Sequence, residues 1–91
     1  MVGRSSADNE LPFGAALRRV RLAAGMTQER LGLESGVQRN FISLIELGQN
    51  QPTIGTIVKL ARALGMKASE LVAEAETEAE GRRKGRRTSA A

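Results

Sequence analysis

Residues 27–47 read TQERLGLESGVQRNFISLIEL, and their spacing decides the fold. Two short helical patterns flank Ser35-Gly36-Val37. Gly36 can adopt a positive φ without steric cost, so the chain can turn sharply there and set the two helices at roughly 90–120° to each other. Leu31, Val37, Ile42 and Ile45 are spaced to pack where the helices cross. Gly32 lies inside the first of them, where glycine costs about 1 kcal/mol relative to alanine, so a close backbone approach is expected there. At about 100° per residue, Ile42 and Ile45 define the buried side of the second helix. Asn40, Ser43, Leu44 and Leu47 then point outward, with Arg39 and Phe41 on the flanks. Such a face suits the major groove of DNA. Arginine can bond guanine O6 and N7 together, asparagine can pair with adenine N6 and N7, and an aliphatic chain can touch a thymine methyl. The competing reading is a merely solvated helix face. Two exposed leucines beside the polar groups count against it.

Working outward, the pattern is helical from about residue 11 to residue 75, with no alternating strand-like run. Gly25, Gly36, Gly48 and Gly65 each follow an apolar-periodic segment, where a left-handed cap ends a helix. The segments between predict an all-α domain of five short helices. The first covers about 11–24, with Phe13, Leu17 and Val20 on one face and Pro12 in the first turn. The second covers about 28–34, capped by Thr27. The third, at about 38–47, carries the outward face just described. The fourth covers about 54–64, opened by Pro52-Thr53, with Ile54, Ile57, Leu60, Ala61 and Leu64 inward. The fifth covers about 68–75, with Leu71 and Val72. Residues 1–10 are small and polar and read as a flexible arm. In residues 76–91, Glu76, Glu78 and Glu80 alternate with small residues, and then GRRKGRR at 81–87 packs five cations into seven positions. With no apolar face left to dock, a disordered acidic-then-basic tail is expected, the alternative being a helix extension of a turn or two that then frays.

A chain of 91 residues makes one domain. It buries only about 60% of its unfolded surface, so partner burial would help it. There is no cysteine, so neither disulfides nor thiolate metal sites are available. There is no histidine, tyrosine or tryptophan either, which removes the commonest general base and metal ligand. The remaining carboxylates, lysines and hydroxyls have nothing beside them to activate them. No enzyme, no metal and no cofactor are expected. The net charge of +4 favours a polyanionic partner. No apolar run approaches the roughly 20 residues that a membrane span needs. Residues 1–10 hold no hydrophobic stretch that could serve as a secretory signal, so a cytoplasmic protein is expected, at the nucleoid when bound to DNA.

Residues 12–72 resemble the Cro/repressor-type helix-turn-helix family, the XRE-like regulators. The match runs through Gly14, Leu17-Arg18, Arg21, Gly25-Met26-Thr27-Gln28-Glu29, Leu31, Gly36-Val37, Ile42-Ser43, Ile45-Glu46, Gly48, Pro52, Leu60-Ala61, Ala63-Leu64-Gly65 and Leu71. The resemblance implies a lambda-repressor-like domain whose second and third helices form the helix-turn-helix. It places Gln38, Arg39 and Asn40 at the base-reading start of the recognition helix, with Ser43 and Leu44 one turn later. It implies contacts to the DNA backbone from Thr27, Gln28, Phe41, Gln49 and Asn50, and a buried ion pair between Arg21 and Glu46. Three positions depart from the family pattern. Gln38 stands where Ser or Thr is common, so the cap there is weaker or differently made. Leu47 stands where many relatives carry Arg or Asn. The loop Gln49-Asn50-Gln51 has no cation, so backbone amides and neutral side chains are expected to meet the phosphate.

One recognition helix reads only a few base pairs, so a homodimer on double-stranded DNA is expected. Val58, off the inward stripe of the fourth helix, together with Met66 and Val72, marks the expected interface. The residues leave a second function open, a protein-interaction module such as an antitoxin that binds a toxin and represses its own operon. The Arg39-Asn40 pair favours DNA, because a docking face for protein would be more apolar. The resemblance leaves open a controller of restriction-modification genes, a phage-type repressor and an antitoxin, and Arg39-Asn40-Phe41-Ile42-Ser43 resembles the controllers slightly more.

Overall fold

The computed structural model describes the backbone of residues 11–90 and the side chains of residues 11–82; the expected arm at 1–10 lies outside the described residues. Five helices follow one another: α1 (Phe13–Ala23), α2 (Gln28–Ser35), α3 (Arg39–Glu46), α4 (Ile54–Ala63) and α5 (Ala68–Ala90). No strand occurs among the described residues.

Local chemistry explains most of the boundaries. The Thr27 hydroxyl accepts from the Arg30 amide at 2.9 Å, and the Thr53 hydroxyl accepts from the Thr56 amide at 3.1 Å. Each satisfies one orphan donor of a first turn. The Glu70 carboxylate does the same for α5, accepting from the Lys67 amide at 2.8 Å. Gln38 precedes α3 in an extended conformation and makes no side-chain cap bond. Gly36 closes α2 at φ 80°, and its amide donates back to the Gly32 carbonyl. Only glycine adopts that conformation without strain, and it is what swings the chain from α2 into α3. Gly25, Gly48 and Gly65 also have positive φ.

The six largest fully buried side chains are Leu17, Leu31, Ile42, Ile45, Leu60 and Leu71, drawn from all five helices. Each contributes about 1.5–3 kcal/mol relative to exposure. Phe13, Ala16, Val37, Ala61 and Ala75 complete the core. Two close approaches fix how α3 sits. A Cβ on Gly14 would overlap the Ile45 carbonyl oxygen, so α1 crosses the end of α3 backbone against side-chain-free backbone. A Cβ on Gly32 would lie 2.9 Å from the Val37 carbonyl oxygen, which accounts for glycine inside α2.

The structure corrects two expectations. Ile54, expected inward, is 79% exposed. It is the first residue of α4, and a helical Cβ leans towards the helix N-terminus, so this side chain falls short of the packed segment that begins at Ile57. The fifth helix does not stop at residue 75 but continues to Ala90. Ala75 is fully buried, and the next turns are tied to α1. Arg19 bonds Glu74 at 3.0 Å and Glu78 at 3.2 Å. Alanine and glutamate are strong helix formers, so once α1 supplies a partner the segment has no reason to unwind.

Candidate nucleic-acid interface

Ile42 and Ile45 are wholly buried, and this sets the rotation of α3. Gln38, Arg39 and Asn40 are exposed at its N-terminal end, and Ser43 and Leu44 are half-buried one turn on. Phe41 is half-buried and packs partly against the core. Leu47, just past the helix, is largely exposed.

Arg39 does not stand alone. It shares an open concavity with Thr27, Gln28 and the Glu29 carboxylate at the start of α2, lined also by Arg21, Leu22 and Met26. The tight turn therefore brings the N-terminal ends of α2 and α3 to one side of the molecule. Helix N-termini present unpaired amides and partial positive charge, which suits an anion.

Beneath this concavity lies a buried polar network. Arg21 donates to both carboxylate oxygens of Glu46, at 2.7 and 3.0 Å, and to the Met26 carbonyl at 2.8 Å. The bond to Glu46 holds the Arg21 guanidinium above the ordinary arginine range, against the opposing effect of burial. Gln28 adds a bond from its Nε2 to Glu46 Oε1 at 3.0 Å. This last contact is not legible in local spacing, because it joins residues 18 positions apart on two helices. One amide hydrogen of Gln28 is thereby committed to Glu46, leaving the other for an outside acceptor.

The loop after α3 differs from expectation. The Gln49 and Asn50 amides both donate to the Leu44 carbonyl, at 2.9 and 3.3 Å. These amides close the end of α3 and are not free for a phosphate. What the loop offers outward is the side chains of Gln49, Asn50 and Gln51. Arg82 of α5, in the segment expected to be a tail, lines the same groove as Asn50 and Gln51.

Of the three residues expected at a dimer interface, Met66 packs against the core. Val58 and Val72 are half-buried and stand outside the core-packed set. No described helix is long and apolar enough to cross a membrane.

Residues 17–71 match the model of a helix-turn-helix family, HTH_3. The chain is 36% identical over 63 residues to the control protein C.BamHI of Bacillus amyloliquefaciens, covering 68% of this chain and 78% of that protein. It is 39% identical over 59 residues to the uncharacterized HTH-type transcriptional regulator y4dJ of Sinorhizobium fredii, covering 65% of this chain and 77% of that one. Among solved structures, the restriction-modification controller protein C.AhdI from Aeromonas hydrophila superposes with a TM-score of 0.64 at 39% identity, over 67% of this chain and 92% of that one.

Proposed function

From the premise that the chain belongs to the XRE-like helix-turn-helix family of transcriptional regulators, we propose that it reads a specific double-stranded DNA site as a homodimer, with α3 in the major groove. The observation that carries this reading is the shared concavity of Thr27, Gln28 and Arg39. It puts the amide-presenting start of α2 next to the exposed, base-capable Arg39 and Asn40. In this reading Gln38, Arg39, Asn40, Ser43 and Leu44 face base edges. Thr27, Gln28, Phe41, Gln49 and Asn50 face the backbone, and Val58 and Val72 meet a second copy. Two half-sites one helical turn apart, about 34 Å, then match two recognition helices. The likeness to C.AhdI, a restriction-modification controller protein, supports a controller of restriction-modification genes as the biological setting.

The test is capture of genomic fragments on the purified protein, followed by sequencing and footprinting of the enriched site. The expected outcome is a single motif with two-fold symmetry and protection over two adjacent major-groove segments. Equal retention of enriched and random fragments would overturn sequence-specific reading.

A further inference from the structure

Charge is distributed very unevenly along this chain. Five of its fourteen cations fall between Arg82 and Arg87, so the rest of the chain, with nine cations against ten carboxylates, carries a net charge of −1. Without that segment the molecule has no overall attraction for a polyanion.

The fold determines where this charge is delivered. Glu74 and Glu78 of α5 pair with Arg19 late in α1, whereas Arg82 shares a groove with Phe13 at the start of α1. α5 therefore runs antiparallel along α1, and its positions 74, 78 and 82 form one row at four-residue spacing. The acidic half of the row pairs with Arg19. The basic half begins in the groove that Leu47, Gly48, Asn50 and Gln51 form after α3. That turn has no cation between Leu47 and Thr53, and two of its amides are committed to Leu44.

We propose that the basic end of α5, from Arg82 to Arg87, is a phosphate-binding extension of the interface, docking on the sugar-phosphate backbone beside the turn that follows α3. The proposal rests on the DNA-binding reading above. It assigns to α5 the cations that the turn after α3 lacks. Because backbone contacts carry no base information, this surface sets affinity and salt dependence and leaves sequence preference to α3.

Binding of the full-length chain to a random-sequence DNA duplex, followed between about 50 and 200 mM salt, tests it. Three variants are compared with the unaltered chain: Arg82→Gln, a fivefold change of Arg82, Arg83, Lys84, Arg86 and Arg87 to Gln, and Asn40→Ala. The log–log slope should flatten by about 0.9 for Arg82→Gln and by up to about 4.5 for the fivefold variant, with unchanged melting. Asn40→Ala should leave the slope on random DNA intact and lower only the preference for the enriched site. An unaltered slope in the fivefold variant overturns the proposal. If that variant melts early, Arg82→Gln decides in the same way, with Arg82→Lys expected to restore the slope. Failure of the unaltered chain to bind any duplex at low salt is a different outcome, and would overturn the DNA-binding reading itself.

Discussion

Arg21 grips Glu46 through two bonds of 2.7 and 3.0 Å in a site where their side chains are only 8% and 3% exposed. The pair joins the end of α1 to the end of α3, and Gln28 and the Met26 carbonyl attach the start of α2 to the same point. Three elements that frame the candidate interface are thus held by one carboxylate and one guanidinium. No buried side-chain polar atom among the described residues lacks a partner, so the network is fully satisfied.

Replacing Glu46 by Ala should cost about 3–5 kcal/mol of folding stability, because it strands a buried arginine. Replacing Arg21 and Glu46 together by Met and Leu should cost far less. Denaturant titration of the two variants separates the cases, and equal losses would show that the cost lies in packing. The arginine side of the pair is insensitive to working pH. Its folded pKa lies above the ordinary arginine value, so its contribution is fully present below that value and is lost only as the pH rises past the still higher folded one.

Two glycine replacements should have opposite signs. Gly14→Ala forces a methyl into the Ile45 carbonyl and should destabilise by at least about 1–3 kcal/mol. Gly55→Ala, in the exposed first turn of α4, puts its Cβ no closer than 3.8 Å to a neighbour. It should stabilise by about 0.4–1 kcal/mol through the unfolded state. Thermal melts of both variants check the pair. A neutral Gly14→Ala would contradict the backbone crossing of α1 and α3.

Arg39→Ala should leave stability within about 0.5 kcal/mol, since the side chain is exposed. Binding to the enriched site should weaken by about 1–3 kcal/mol, with relaxed preference at one base pair. Measuring the variant on specific and random duplexes distinguishes the roles. Equal losses on both would make Arg39 a phosphate contact.

Val72→Asp should convert a dimer to a monomer with little change in the fold, because Val72 is half-buried and stands outside the core-packed set. A second copy covering Val58 and Val72 would bury about several hundred Å² per subunit, enough for moderate affinity. Sedimentation at about tens of micromolar should show a dimer for the unaltered chain. A monomer there that stays monomeric on its DNA site would remove the interface from α4 and α5.

What the sequence alone determined is whatever one helix and its caps encode. The threonines at 27 and 53, the four glycines that end helices and the buried stripe of Ile42 and Ile45 each act within a few residues of themselves. They marked the first four helices to within two or three residues at each end, and they oriented α3 before any packing was known. Tertiary structure decided the contacts between segments distant in the chain. Glu78 alternates with small residues and looks like solvated tail until Arg19, 59 positions away, is placed beside it. Gln28 looks free until Glu46 arrives to accept from it, and Gly14 looks incidental until the end of α3 crosses it. Ile54 fits the apolar stripe of α4 and yet is exposed, because periodicity gives the direction of a side chain but not whether a neighbouring helix extends far enough to cover it. Periodicity and capping are short-range and therefore local in the sequence. Burial and pairing depend on which surfaces meet, and only the assembled bundle decides that.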